Sequence, residues 1–158
     1  MDLHGATVNP VDASGRITLR EHQIDELDGS VILTQGFDNN ILMLSPEQWP
    51  YFVAHLDDGN PMDPDMDDLR RLFIGGAVEV ELDSRGRLKI PEALRALSSL
   101  KPGQSKAIVL NIGTRWEIWE EGAYQRHMAD RREALKQFAR QKFGSGGDTQ
   151  AQAAEAGE

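Results

Sequence analysis

The chain has 158 residues, of which 39% are hydrophobic, contains no cysteine and carries a formal net charge of −9. This length suits one compact domain or two small halves that share a core. The absence of cysteine excludes disulfide and thiolate chemistry and favours a reducing, cytoplasmic environment. The sequence has no signal-peptide pattern and no apolar run long enough to span a bilayer, so no membrane partner is expected.

The charge is divided unevenly along the chain. Residues 1–80 contain 4 Lys and Arg against 15 Asp and Glu, a net charge of −11, whereas residues 81–158 contain 13 against 11, a net charge of +2. Most DNA-binding domains present a basic surface. This asymmetry allows a local basic surface on an acidic protein, so the overall charge does not exclude a nucleic-acid partner.

The first part of the chain is predicted to alternate between short strands and helices. Strands are predicted at residues 3–11 and 17–19, around a glycine turn, and at residues 31–35 and 41–44. Ser45 followed by Pro46 is typical of a helix start, and apolar residues from Trp49 to Leu56 then recur at helical spacing. Another helix is predicted at residues 64–73, where two glycines follow.

The second part repeats this order. Strands are predicted at residues 78–82 and 88–90, and Pro91 opens a short helix at residues 92–97. Two more strands follow at residues 106–111 and 116–119, and then a long helix over about residues 122–142. Residues 144–158 contain no large apolar side chain, so this segment is predicted to be disordered.

Three segments recur in the same order and indicate an internal duplication. Residues 11–19 match residues 82–90 at an offset of 71, residues 31–36 match 108–113 at 77, and residues 41–49 match 116–124 at 75. We therefore expect a first repeat at residues 1–62, a linking helix at 63–76, a second repeat with its terminal helix at 77–143, and a tail at 144–158.

Each predicted repeat contains an Asp-x-x-Gly-Arg turn, at residues 12–16 and 83–87. An aspartate side chain stabilises such a turn by accepting hydrogen bonds from nearby backbone amides, and glycine supplies a positive φ without steric cost. A purely structural interpretation, in which the arginine pairs with the aspartate, is also open. The predicted turn-stabilising residues are Asp12, Gly15, Asp83 and Gly86.

The arginine after each glycine opens the next strand, where alternate side chains share a face. Arg85, Arg87 and Lys89 are therefore expected to project together. A two-stranded ribbon fits the major groove, and arginine is the preferred donor to guanine there. The candidate DNA-binding residues are Arg16, Arg85, Arg87, Lys89, Arg20 and Ser14.

A wider set of motifs resembles the MraZ family, within the AbrB and MazE-like swapped-hairpin class. Besides the two turns, the matching segments are LHG at residues 3–5, LRRLFIG at 69–75, LKIP at 88–91 and WEIW at 116–119. The resemblance spans about residues 3–130. It implies an α+β fold, a duplicated swapped-hairpin or double-split β-barrel (AbrB-like) with flanking helices.

The resemblance also implies a function. The resemblance implies a ring-shaped homo-oligomer that binds direct repeats in promoter double-stranded DNA. It also implies regulation of the division and cell-wall gene cluster, including the protein's own promoter. A cytoplasmic, nucleoid-associated location follows. Arg16 and Arg87 take the family's DNA-contacting position. Ser14 and Leu19-Arg20 depart from the family pattern, so the second turn is expected to dominate DNA binding.

Other functions have little support in the sequence. The four histidines are scattered, and no phosphate loop, dinucleotide fingerprint or nucleophile elbow occurs. The acidic stretch at residues 57–68 lacks calcium-loop spacing. We therefore expect no enzyme activity, cofactor, metal or small-molecule substrate. The alternative to a DNA-binding regulator is an oligomeric interaction module that does not bind DNA, either antitoxin-like or a degenerate relative of the regulator.

Overall fold

The computed structural model describes the backbone of residues 5–57 and 59–156 and the side chains of residues 5–57 and 59–144. The described strands are β1 (Thr7–Pro10), β2 (Arg16–Thr18), β3 (Ser30–Gln35), β4 (Ile41–Leu44), β5 (Val78–Glu81), β6 (Arg87–Lys89), β7 (Lys106–Asn111) and β8 (Trp116–Glu120). The helices are α1 (Glu21–Leu27), α2 (Gln48–Leu56), α3 (Pro64–Phe73), α4 (Glu92–Leu97) and α5 (Glu121–Ala156).

Six strands form one antiparallel sheet in the order β1-β7-β8-β4-β3-β5, and β2 pairs with β6 in a separate two-stranded ribbon. We call β1 to α2 the first half and β5 to β8 with α4 the second half. The first strand of each half pairs with a strand of the other half, since β1 lies beside β7 and β5 beside β3. If each strand of the sheet is replaced by its counterpart in the other half, the same strand order is obtained in reverse, and every pair of neighbouring strands is preserved. The described chain is therefore an α+β protein with an antiparallel sheet and flanking helices.

Strand β4 shows why the sheet is covered on both faces. All four of its residues are buried, and side chains alternate between the faces of a strand. Ile41 and Met43 belong to the main core. Leu42 and Leu44 belong to a second cluster with Leu56 of α2 and Phe73 of α3. Helices α2 and α3 therefore pack on the sheet face opposite the main core.

Helix α2 begins at Gln48, two residues after the start that Ser45 and Pro46 predict, but Ser45 makes the hydrogen bonds expected of a capping residue. The Ser45 hydroxyl accepts a hydrogen bond of 3.1 Å from the Gln48 amide, and the Gln48 side chain accepts one of 3.0 Å from the Ser45 amide. This reciprocal pair satisfies two amides that the helix itself leaves free. Helix α3 has the predicted bounds, and the Asp63 carboxylate accepts a hydrogen bond of 3.0 Å from the Asp65 amide at its start.

Helix α1 was not predicted from the sequence. Its apolar pattern is short, and one of its two buried residues is a glutamine. Gln23 is 1% exposed and its polar atoms are used internally, because its side chain donates to the Thr7 hydroxyl at 2.8 Å and accepts from the Arg20 amide at 2.8 Å. A buried polar residue whose polar atoms are all hydrogen-bonded does not contribute to the apolar periodicity from which a helix is predicted.

The chain divides into two compact units, Met1–Glu121 and Gly122–Glu158. The second unit contains α5 from its second residue onward, and this helix extends to Ala156, beyond the end near residue 142 that the sequence indicates. The side chains of residues 145–158 lie outside the described residues, and the disorder expected for residues 144–158 stays a prediction. No helix in the described part of the chain is long and apolar enough to cross a membrane.

Candidate nucleic-acid interface

The β2–β6 ribbon has one buried and one exposed face. Ile17 of β2 lies opposite Leu88 of β6, and both side chains are 0% exposed because they point into the main core. Strand alternation turns the flanking residues the other way. The ribbon is thus anchored by its central apolar pair and presents its remaining side chains to solvent.

Four flanking residues form this outer face. Arg16 lies opposite Lys89 and Thr18 lies opposite Arg87. Such opposed residues have Cβ atoms about 4.5–5.5 Å apart. Three of the four side chains are cationic, so the ribbon presents a compact basic surface. The two predicted turns lie at its ends, because each precedes one of the two antiparallel strands.

The first turn is stabilised by the Asp12 carboxylate. Its Oδ1 accepts hydrogen bonds from the backbone amides of Ser14 and Arg16, each 2.9 Å, and from the Ser14 hydroxyl at 2.8 Å. The Gly15 amide donates to the Asp12 carbonyl at 3.0 Å, and Gly15 has φ +82°. A positive φ of this size strains residues that carry a Cβ, which explains glycine at this position.

The second turn repeats this arrangement. Asp83 Oδ1 accepts from the backbone amides of Arg85 and Arg87, each 2.9 Å. The Gly86 amide donates to the Asp83 carbonyl at 3.0 Å, and Gly86 has φ +72°. The structure therefore places Asp12, Gly15, Asp83 and Gly86 in the turn positions that the sequence assigns to them.

Hydrogen bonds to the ionised form lower the pKa of both carboxyls. For Asp12 the main cause is the Arg16 amide, followed by the Ser14 hydroxyl. For Asp83 the main cause is the Arg87 amide, and the Arg87 side chain lowers the pKa further. Both groups remain ionised well below neutral pH, so each turn keeps an acceptor for its amides under physiological conditions.

The arginines after the two glycines have different partners. Arg87 Nε donates to Asp83 Oδ2 at 2.6 Å and forms an ion pair, whereas Arg16 Nη1 donates to the Ser14 hydroxyl at 2.9 Å. The two terminal nitrogens of Arg87 have no hydrogen-bond partner among the described residues. The ion pair orients the Arg87 side chain and leaves the end of its guanidinium available to a ligand.

Lys89 belongs to the first turn and not to the second. Its ammonium donates a hydrogen bond to the Ser14 carbonyl. Arg87 and Lys89 share the exposed ribbon face, as strand alternation predicts, but the Lys89 ammonium lies at the first turn and not beside Arg85 at the second. The reason is the antiparallel register, which places the carboxyl end of β6 beside the amino end of β2.

Arg20 has a largely structural position at the start of α1. Its backbone amide donates to the Gln23 side chain at 2.8 Å, and its Nη2 donates to the Val8 carbonyl at 2.9 Å. Ser14 is exposed and its hydroxyl joins Asp12 to Arg16. Both residues thus lie near the ribbon, but their polar groups hold the turn and the helix start.

The two turns also meet different helix residues, which sequence reasoning missed. A Cβ built on Gly15 would lie 2.7 Å from Cζ of Arg95 in α4, and one built on Gly86 would overlap Ile24 in α1. Positions 24 and 95 are 71 apart, the offset that relates the two turns. Comparing positions 71 apart beyond the turns would have shown that an isoleucine at position 24 corresponds to an arginine at position 95.

Acidic residues before and within α3 form ion pairs with the arginines of that helix. Arg70 pairs with Asp57 at 3.3 Å and with Asp67 at 2.9 Å, and Arg71 pairs with Asp68 at 2.8 Å. Within residues 5–57 and 59–144, no group of three or more histidine, aspartate or glutamate side chains is placed to hold a metal ion.

The structure defines a class, namely an α+β protein with two like turns at the ends of one exposed basic ribbon. Comparison with known proteins adds the family. Residues 73–144 match the family model described as the MraZ protein, putative antitoxin-like. The Transcriptional regulator MraZ of Caldicellulosiruptor saccharolyticus is 34% identical over 137 residues, which covers 87% of this chain and 94% of that protein.

Two further relatives bear the same name. The protein from Shewanella frigidimarina is 35% identical over 133 residues, covering 81% of this chain and 86% of the relative. The protein from Solidesulfovibrio magneticus is 32% identical over 131 residues, covering 80% and 84%. The chain belongs to the MraZ family, which confirms the resemblance noted in its sequence. The relatives are named as transcriptional regulators and not as enzymes, in agreement with the expectation that this chain is not an enzyme.

Proposed function

We propose that the protein is a sequence-specific DNA-binding transcriptional regulator that contacts DNA through its two Asp-x-x-Gly-Arg turns. The observation that carries this proposal is the outer face of the β2–β6 ribbon, where Arg16, Arg87 and Lys89 lie together between the turns. Arginine and lysine are the donors that contact guanine edges and phosphates. The names of the relatives support the same function.

The dimensions of the ribbon suit a DNA groove. The Leu19 amide donates to the Gly86 carbonyl at 3.0 Å, so Leu19 marks the position of the second turn along β2. Gly15 and Leu19 are four positions apart, which corresponds to about 13 Å of extended strand. The major groove is about 12 Å wide and admits a two-stranded ribbon. The two turns of one chain are therefore separated by about the width of one major groove.

The charge distribution orients the protein on DNA. The chain as a whole carries −9, and the acidic residues around α3 lie on an element that packs on the opposite face of the sheet from the main core. Phosphates repel those acidic surfaces and attract the ribbon. Binding through the ribbon thus reconciles an acidic protein with a nucleic-acid partner.

We extend the proposal to the fold class and assembly that the family resemblance implies. The exchange of β1 and β5 between the halves supports a duplicated, swapped-hairpin, AbrB-like barrel. The family resemblance further implies self-association into a ring-shaped homo-oligomer, and Phe37, Tyr51 and Met62, which are 65%, 75% and 81% exposed, are apolar side chains that a second copy could cover. A ring would engage direct repeats in a promoter with high effective concentration. The targets proposed are its own promoter and the division and cell-wall gene cluster, in the cytoplasm at the nucleoid.

Fluorescence anisotropy with a labelled duplex from the protein's own upstream region tests this function. We expect salt-sensitive binding, because neutralising phosphates releases counterions. Arg16→Ala and Arg87→Ala should each weaken binding by about 5-fold to 150-fold, corresponding to ~1–3 kcal/mol for an arginine that contacts a base. Arg71→Ala removes an equal charge from α3 and should leave affinity within about 2-fold.

Two results would contradict the proposal. If the wild-type protein shows no salt-sensitive shift at micromolar concentration, DNA binding is rejected and an oligomeric interaction module takes its place. If the wild type binds but neither arginine matters, the ribbon is not the surface that meets DNA.

A further inference from the structure

The two turns differ in the helix residue that covers each glycine. Arg95 of α4 lies against Gly15, and Ile24 of α1 lies against Gly86. The packing crosses between the halves in both cases, because each helix covers the turn of the other half. A cation therefore stands beside the first turn where an apolar side chain stands beside the second.

Arg95 is held in this position by a hydrogen-bond chain. Its Nε donates to the Ile90 carbonyl at 2.9 Å, and the Ile90 amide donates to the Gly15 carbonyl at 3.1 Å. The guanidinium lies so close to Gly15 that a Cβ there would be 2.8 Å from Nη1. The Arg95 side chain is half-buried. Its orientation is thus fixed by β6 and by the backbone of the turn itself.

The terminal nitrogens of Arg95 are unused by the protein. Neither Nη1 nor Nη2 has a hydrogen-bond partner among the described residues, although the group is packed and immobilised through Nε. An arginine fork with free N–H groups and a fixed orientation is suited to phosphate oxygens, which accept two parallel hydrogen bonds. Little side-chain entropy remains to be lost when such a group binds.

The position of Arg95 offsets a difference between the turns. The first turn has Ser14 where the second has Arg85, so it carries one cation fewer in its own segment. The second half supplies Lys89, whose ammonium donates to the Ser14 carbonyl, and Arg95, whose guanidinium lies on Gly15.

The second turn receives no cation from the two corresponding positions. The positions that correspond to Lys89 and Arg95 are Thr18 and Ile24, and both are uncharged. The cations at the first turn are therefore Arg16 with two residues from the other half, and those at the second turn are Arg85 and Arg87 of its own segment.

We infer that Arg95 is a phosphate-binding residue of the first turn, supplied by the second half of the chain. This inference rests on the proposed DNA-binding function and deepens it. Together with Arg16 and Lys89, Arg95 gives the first turn three cations that bind the phosphates of the DNA backbone. The weakness of the first turn in its own sequence is compensated by the fold.

Binding curves for Arg95→Ile across 50 to 200 mM salt test the inference, since this variant installs the residue found at position 24 and the range is one in which phosphate binding responds strongly to salt. We expect affinity to fall about tenfold, and the slope of log affinity against log salt to flatten by about 0.9 for each phosphate that is no longer neutralised. Because phosphates carry no sequence information, the decrease should be the same on the target duplex and on a scrambled duplex.

Two further variants separate phosphate binding from bracing of the turn. Arg95→Lys keeps the charge and should restore most of the salt slope, even though the Nε hydrogen bond to Ile90 is absent. Arg71→Gln removes one positive charge from an exposed site on α3 and should leave the slope unchanged. The melting temperature of each variant, measured without DNA, reports the structural effect.

Each outcome decides between named alternatives. If Arg95→Ile lowers the melting temperature but leaves the salt slope at the wild-type value, Arg95 is a structural residue and the inference is overturned. If the decrease in affinity appears on the target duplex alone, Arg95 reads a base and the phosphate assignment is wrong. If the wild type itself does not bind DNA, the proposed function fails, and the inference fails with it.

Discussion

The two Asp-x-x-Gly-Arg turns have the same backbone geometry and different electrostatic surroundings. Asp12 and Asp83 accept equivalent amide hydrogen bonds, all 2.9 Å long. Around that common frame, the second turn relies on arginines of its own segment, whereas the first is covered by Arg95 of the other half. Counting cations along the chain ranks the second turn higher, whereas in space the first turn gains Lys89 and Arg95.

This difference shows how an internally symmetric fold can share a function between unequal halves. Because β2 pairs with β6 and each glycine faces a helix of the other half, neither turn is a property of its own segment. A substitution that weakens one segment can be compensated by the other. The halves should therefore respond alike to substitutions in their shared core and differ in their response at the corresponding positions 24 and 95, which hold an isoleucine and an arginine.

The largest expected effect concerns the shared anchor of the ribbon. Ile17→Ala and Leu88→Ala should each reduce the free energy of unfolding by about 2–5 kcal/mol, because both side chains are fully buried and leave a cavity. Chemical denaturation of the two variants should give nearly equal decreases, since the residues are cross-strand partners at corresponding positions. Thr18→Ala, on the exposed ribbon face, should change stability by less than about 0.5 kcal/mol.

A large difference between the destabilisation caused by Ile17→Ala and that caused by Leu88→Ala would contradict the similarity of the two halves. If Ile17→Ala were nearly neutral while Leu88→Ala were strongly destabilising, the first half would not support the ribbon in the way that the second half does. The same result would argue against a pseudo-symmetric core.

A smaller effect is expected at the turn glycines. Gly15→Ala and Gly86→Ala should each cost about 1–2 kcal/mol, because an alanine is strained at these positive φ values. Gly29→Ala is the matched control, since Gly29 has φ +86° and no atom near its Cβ position. Any destabilisation at Gly86 beyond that control measures the overlap with Ile24, and thermal unfolding gives all three values.

The excess should be larger at Gly86 than at Gly15. A Cβ on Gly86 would lie 2.3 Å from Cδ1 of Ile24, which packs against the main core, whereas a Cβ on Gly15 would lie 2.7 Å from the nearest atom of Arg95. Equal excess destabilisation at both positions would contradict this ordering.

The smallest expected effect is the pH dependence of the turns. Hydrogen bonds lower the pKa of Asp12 and Asp83 below the ordinary value of 3.8 in the folded protein. Groups of this kind contribute stability that is fully present above the ordinary value and is lost as pH falls through the lower folded-state pKa. The melting temperature should therefore drop below about pH 4, and Asp12→Asn or Asp83→Asn should each flatten that drop.

Salt should distinguish the two carboxylates in the same experiment. Asp83 is paired with the Arg87 guanidinium at 2.6 Å, whereas the side-chain donor to Asp12 is a neutral hydroxyl. Screening weakens exposed ion pairs more than hydrogen bonds between a carboxylate and neutral groups. High salt should thus reduce the contribution of Asp83 more, and an equal response would show that the Arg87 ion pair adds nothing.

Much of the local structure follows from the sequence. Helices α3 and α4 and strands β4 and β7 begin and end where turn, capping and periodicity signals indicate. The two turns follow from the spacing of aspartate and glycine alone. These features depend on interactions within a few residues, so a linear pattern contains the information. Helix α1 is not predicted from such a pattern, because its buried Gln23 is stabilised by a hydrogen bond to Thr7 and not by apolar packing.

The family, the order of most strands and helices, and the two turns can all be derived from the linear sequence. The assignment of cations to each turn depends on the three-dimensional fold. Lys89 joins the first turn because antiparallel pairing reverses the direction of β6 beside β2. Arg95 joins it because α4 covers the glycine of the opposite half. Both facts depend on interactions between residues that are distant along the chain, which no local pattern encodes.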